Sequence, residues 1–383
     1  MIEYFKKKYM NSNYFLNYKL ENRTRNKLQS IQTKINKNYN YVLKNPITSI
    51  ERKPIPNGLL VESNKYFDKS ITDDINRNSK YILVINYETP NGIKISYEFY
   101  ILSTNPQKDE KIKKYASLMT TWLMTAKEYE LDNCVQDLKV TVYLTNKKKE
   151  LPVIKNHILG GKEVNTAFTY RCHNHNSSIT MYREEDLMKV FFHETFHTFK
   201  FDFTDSAKDK IQSHYSINSD VNLFESYCET WARVINSLFY AIIFEKKYSV
   251  DHNLVLPTIL SIETLYSINQ MIKIINYMGI TFEEMIQNSE KVNINFKENS
   301  NVFSYYFITS LFVLYLDQFI HFCDDNINIL NFNKDNLDRY VELIKNIKDD
   351  IISGNHKDTI NMIRNNKRTL STKMAVFDVM EIF

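Results

Sequence analysis

The chain of 383 residues is 43% hydrophobic and 25% charged, the balance of a folded globular protein and not of a disordered one. Its 49 basic and 45 acidic residues leave a net charge of +4, too small for a nucleic-acid footprint; runs such as Lys6-Lys7-Lys8 and Lys147-Lys148-Lys149 read as solvated turns. The N-terminus has no apolar core of a secretion signal, and the most apolar window, 302–322, carries Ser304, Thr309, Asp317 and Gln318, so it reads as a buried helix and no membrane span is expected.

Taken in chain order, residues 1–75 form a polar extension, with a weak helical pattern over 27–43 and interruptions at Pro46, Pro54 and Pro56. Residues 76–200 carry the strand signals. An apolar run at 81–87 leads into the turn Thr89-Pro90-Asn91-Gly92, after which Ile93, Ile95, Tyr97, Phe99 and Ile101 alternate as a hairpin partner. A helix follows over 109–129, with Ile112, Tyr115, Met119, Trp122 and Ala126 on one face. Leu138, Val140, Val142 and Leu144 then alternate, and short strands are expected at 164–170 and 178–182. Residues 201–383 read as mainly helical, over 221–244, 255–277, 302–322 and 337–352. The expected class is α+β: a small mixed sheet with a backing helix, then a helical half.

Between the two parts lies the segment that carries chemistry. Glu184-Glu185-Asp186 supplies an acidic first turn to a helix whose Leu187, Val190, Phe191, Phe192, Phe196 and Phe199 are apolar on most of its circumference. Such a helix is buried, so polar groups on it need partners. It carries His193-Glu194-Thr195-Phe196-His197. Residues i and i+4 project from one face of a helix, so both imidazoles can aim a nitrogen at one zinc ion. Glu194 stands beside that ion without ligating it, where a general base takes a proton from water on the metal. The competing reading is a pair of core histidines satisfied by neighbours.

A catalytic zinc site needs a third protein ligand. The pattern that would place a Gly and then a His soon after the second histidine is absent, because Lys200 and Phe203 occupy those places. The next candidate is the predicted helix bearing Glu225 and Glu229, again i and i+4, beside an apolar stripe of Phe224, Tyr227, Trp231, Val234 and Leu238. One carboxylate binding zinc while the other accepts a hydrogen bond from a ligand histidine accounts for both. Asp202 and Asp205 are further acids within reach in sequence. Arg171-Cys172-His173-Asn174-His175 has no partner pair at finger spacing and reads as a loop between two strands at the rim of a cleft. The cysteines, Cys134, Cys172, Cys228 and Cys323, are far apart with no CxxC pair, so neither a disulfide framework nor a thiolate zinc site is expected, and an intracellular, cytoplasmic setting follows.

The histidine motif, followed about thirty residues later by a Glu-xxx-Glu helix, resembles the gluzincin metallopeptidases, and among them the lethal-factor-like toxin peptidases. The chain is also similar in flavour to zincin-like proteins of large DNA viruses, for which a virion setting follows. The resemblance implies a zincin fold within residues 80–245, Glu225 as the third zinc ligand, and Glu229 as the group orienting a ligand histidine. It further implies a peptide or protein substrate, bound along an edge strand at Asn165-Thr166-Ala167-Phe168, with Asn165 and Ala167 lining it. A group stabilising the oxyanion is expected as well, with Tyr306 first among Tyr305, His214 and Tyr215. The alternative is a zincin scaffold without activity that binds partners or builds a virion.

Overall fold

The computed structural model describes residues 12–64, 67–154, 157–205, 207–250, 252–364 and 369–383; residues 1–11 and 65–66 of the expected polar extension, with the run Lys6-Lys7-Lys8, lie outside them. The chain divides into two compact units. A sheet unit comprises Gln29–Lys148, Asn165–Asp202 and Phe383. A helical unit comprises Lys149–Val164, Phe203–Ile382 and the described residues up to Leu28.

Most of helix α1 (Asn22–Lys44) belongs to the sheet unit. Its Ile31, Ile35, Tyr39 and Val42 recur at helical spacing and are buried, which is why the weak pattern in a polar stretch is a helix. The unit continues through β1 (Glu51–Pro54), α2 (Lys69–Asn78), β2 (Ser79–Glu88), β3 (Lys94–Leu102), α3 (Asp109–Lys127), β4 (Asp137–Tyr143), β5 (Ala167–Thr169), β6 (Ser177–Met181) and α4 (Leu187–Thr198). The strands form one mixed sheet of six, in the order β1-β2-β3-β4-β6-β5. Strands β2 and β3 make the expected antiparallel hairpin, and Gly92 takes the φ of +87° that closes its turn. From β3 to β4 and from β4 to β6 the pairing is parallel, while β5 runs antiparallel to β6 at the edge. Parallel neighbours need a crossover, and α3 is the crossover between β3 and β4.

Alternation along the strands sends Ile95, Tyr97, Phe99 and Ile101 of β3, with Val140, Val142, Ile179 and Met181, into the core. The Tyr97 hydroxyl meets Thr120 Oγ1 of α3 at 2.8 Å, tying this face to the helix. Part of the sheet is covered by α2, where Phe67, Ile71 and Ile75 cluster with Ile82, Val84, Tyr100, Tyr143 and Tyr182. Neither β1 nor α2 was expected. β1 reads Glu-Arg-Lys-Pro and is exposed throughout, and α2 is a polar ten-residue helix with only three buried positions.

Helix α4 packs between this sheet and α3 through one tryptophan. Trp122 donates its indole N–H to Thr195 Oγ1 at 2.7 Å and meets Phe192 and Phe196 with ring centroids at 5.6 and 6.4 Å.

The helical unit is built from α5 (Lys208–Tyr215), α6 (Leu223–Tyr248), α7 (His252–Tyr277), α8 (Leu316–Asp324), α9 (Leu337–Ile352) and α10 (Lys357–Arg364), with shorter helical pieces between them. An aromatic cluster of Phe203, Tyr227, Phe319, Phe322, Phe332 and Tyr340 fills its centre. The single helix expected over 302–322 is broken. Phe303–Ile308 is π-helical, and the chain bends by 92° between Phe303–Leu314 and Leu316–Asp324, at Tyr315, whose ψ is +45°. No single helix among the described residues is long and apolar enough to cross a membrane.

Replacing Trp122 with Ala removes both the packing and the bond to α4, and should cost about 3–5 kcal/mol in urea unfolding. A loss below about 1 kcal/mol would show that α4 is held by other contacts.

Candidate metal centre

Helix α4 is buried at every position but His197, which is partly exposed at its last turn. It begins three residues later than an acidic first turn at Glu184-Glu185-Asp186 would place it. Asp186 is the N-cap with φ +61° and makes no side-chain capping bond, so the helix has no acidic first turn. Glu184 instead accepts hydrogen bonds from Asn105 and Gln107 and pairs with Lys111, which ties it to the connection ahead of α3.

At the other end the chain reverses in a left-handed cap. Lys200 takes φ +59°; its N–H donates to the His197 carbonyl at 3.0 Å and that of Phe201 to the Phe196 carbonyl at 2.9 Å, the paired bonds of a Schellman ending. Lys200, at the place that would be Gly in the rejected histidine pattern, serves as the cap and pairs with Asp132. This reversal brings Asp202 back onto the helix. Its Oδ2 lies 2.7 Å from His197 Nδ1, and its side chain is almost wholly buried. The contact fixes the proton on Nδ1 and leaves Nε2 with its lone pair, the arrangement of a metal-ligating histidine.

The Nε2 atoms of His193 and His197 converge to 3.2 Å, with ring centroids 5.0 Å apart. Two nitrogens bound tetrahedrally to zinc at about 2.0–2.1 Å stand about 3.3–3.4 Å from each other. The pair therefore fits one zinc ion with little movement. Glu194 is buried beside it. Burial pushes the Tyr182 phenol well above its ordinary range; Arg183 opposes this and Glu194 adds to it, which puts the Glu194 carboxylate near that ring.

In the helical unit, Glu225 and Glu229 stand on α6 as expected but in different settings. Glu225 lies in the first turn, half-buried, and accepts a bond from Asn301 Nδ2 at 3.2 Å. Glu229 is one turn deeper and about 1% exposed, paired with the equally buried Arg233 through Nε at 3.1 Å. Arg233 also bonds Ser267 and the Tyr305 carbonyl, and Glu263 lies 4.0 Å from it. Glu229 thus belongs to a buried ion pair, and the carboxylate that meets His197 Nδ1 is that of Asp202.

Tyr306 is corrected as well. Its hydroxyl donates to the Thr372 carbonyl at 2.6 Å inside the core, so its one proton is committed to backbone. Tyr215 is fully buried. His214 sits on α5, its ring pKa lowered by partial burial and by Lys345 and Lys348. Ala167 opens β5, an edge strand of the sheet, with Asn165 just before it.

The loop Arg171–His175 joins β5 to β6, with His173 and His175 exposed. The expectation of no disulfide is overturned here: Cys134 and Cys172 are bonded, while Cys228 and Cys323 are buried thiols. Two residues that sequence reasoning did not assign also appear. Arg171 donates from Nε to Asp202 Oδ1 at 2.9 Å and from Nη2 to the Asp202 carbonyl at 2.7 Å. Asp202 itself had only the standing of an alternative ligand. The signal for its orienting role was a left-handed cap that no glycine announces.

The chain is 27% identical over 183 residues, 46% of its length, to an uncharacterized protein, R210, of Acanthamoeba polyphaga mimivirus. It spans about half of that relative, 45% of its length. No family model and no solved structure matches the chain.

Truncating Arg233 to Met would leave Glu229 buried without its cation. A loss of about 3–5 kcal/mol is expected from denaturant titration. A near-neutral result would show that Glu229 is stabilised elsewhere and is available for another role.

Proposed function

We propose that this protein is a zinc-dependent metallopeptidase of zincin type, acting on a peptide or protein. The observation that carries the reading is the convergence of His193 and His197 to an Nε2–Nε2 separation of 3.2 Å, on a buried helix with Glu194 between them. Two neutral imidazoles with converging lone pairs repel unless a proton or a cation lies between, and the separation matches a shared tetrahedral ion.

His193 and His197 would hold the ion, and Glu225 is proposed as the third ligand. The resemblance gives it that role, while Glu229 on the same helix is paired with Arg233. Zinc so held supplies a Lewis acid that makes water available as a nucleophile near neutral pH. Asp202 keeps His197 in the ligating tautomer. Glu194 accepts the proton of the attacking water and delivers it to the departing amine. The edge strand at Ala167 offers backbone groups to an extended peptide. The viral relative is uncharacterized, and the substrate class rests on the motif and its resemblance.

Metal analysis and a peptide-library assay test the proposal together. The wild type should bind one zinc and cleave peptides. Glu194→Gln should keep the zinc and lose turnover by at least about a hundredfold, the usual scale of a general base. Zinc bound without cleavage by the wild type would favour a binding scaffold instead. No zinc at all would end the reading.

A further inference from the structure

The histidine pair is held by more than its own helix. The loop after β5 runs against the end of α4: Thr169 Oγ1 meets Thr198 Oγ1 at 2.9 Å, and the Cys172 N–H donates to the Thr198 carbonyl at 3.3 Å. Within this loop Cys172 and Asn174 both take left-handed backbone conformations, φ +48° and +50°. Such conformations in residues other than glycine persist where neighbours impose them. Asn174 is imposed by pairing: its carbonyl accepts from Gln136 and Asp137 at 3.2 and 3.4 Å, and it bridges Val135. Cys172 is imposed by its bond to Cys134, which is fully buried just ahead of β4. The residue next to that bond is Arg171. Its guanidinium grips Asp202 at two points, and Asp202 in turn holds His197 Nδ1.

We propose that Arg171 is a positioning residue of the metal centre, and that the Cys134–Cys172 disulfide, by pinning the loop that carries it, makes metal affinity depend on redox state. The proposal rests on the metal reading of His193 and His197. The chemistry is a two-electron exchange with a dithiol reductant. A reductant thiolate attacks the Cys172 sulfur, which is the partly exposed one, and Cys134 leaves as a thiolate. The reductant's second thiol resolves the mixed disulfide. Two electrons and two protons pass to the cysteines, and the reductant ends as its own disulfide. The released loop no longer presents the guanidinium fork to Asp202, and His197 loses its fixed orientation. A planar bidentate grip of this kind is not reproduced by a lysine, whose ammonium is a point charge.

The test measures zinc affinity by competition with a chromophoric chelator and records the visible absorption of the cobalt-substituted protein, which reports ligand geometry. Four forms are compared with the oxidised wild type. These are the wild type reduced by a dithiol and freed of it, the double variant Cys134→Ser with Cys172→Ser, Arg171→Met, and Arg171→Lys. Loss of a group that supports a metal ligand weakens binding about 10–100-fold, and the first three forms should fall in that range with an altered cobalt spectrum. Arg171→Lys should recover part of the affinity. The serine variant excludes metal capture by freed thiols, and Arg171→Met keeps the disulfide, so a folding defect in one is checked by the other. If the oxidised wild type binds zinc and Arg171→Met and the serine variant match it within twofold, the proposal is overturned while the metal reading stands. If the oxidised wild type binds no zinc, both fall.

Discussion

Two imidazole nitrogens brought to 3.2 Å on a buried helix are the constraint around which the sheet unit makes sense. Neighbouring groups hold the helix and the His197 ring in place. Trp122 fixes the helix from α3 through Thr195, and the Schellman ending folds Asp202 back onto His197. Each contact costs conformational freedom, and it is worthwhile only if the pair must be held in one geometry. The separation is close to the spacing of two ligands on a tetrahedral ion, which is the basis of the metal proposal.

The helical unit follows a different logic. Its centre is aromatic, and it buries an ion pair, Glu229 and Arg233, with Ser267 and the Tyr305 carbonyl accepting from the same guanidinium. A buried ion pair contributes little net stability over an apolar substitute, yet removing one partner strands the other. This separates two glutamates that look equivalent in sequence. Glu229 is paired in the interior; Glu225, one turn nearer the helix start, is half-buried and accepts a bond from Asn301, and its place in the first turn suits a carboxylate.

How far the sequence could be read depended on how local the signal was. The hairpin of β2 and β3, the helix α3, the long helices α6, α7 and α9, and the burial of α4 all follow from periodicity and turn chemistry within a few residues. Short elements with little apolar content, β1 and α2, left no such trace. The break at Tyr315 was also invisible, because an apolar run keeps its character whether or not the backbone bends. The acidic triplet misled for a related reason. Charges near a helix start are a statistical tendency, and here Glu184 had a stronger partner in Lys111.

The sequence by itself determined that His193, Glu194 and His197 share one side of a helix, since 3.6 residues per turn allows nothing else, and that this helix is buried. Tertiary structure alone decided which groups serve them. Asp202 reaches His197 because the cap reverses the chain, and Arg171 reaches Asp202 because the loop after β5 lies against the end of α4. Cys134 and Cys172, separated by 38 residues, meet because β4 and β6 are parallel neighbours whose leading ends lie side by side. The Tyr306 hydroxyl is engaged by a backbone carbonyl 66 residues away. These are contacts between residues remote in sequence, and no local pattern of residue types encodes a distance between them.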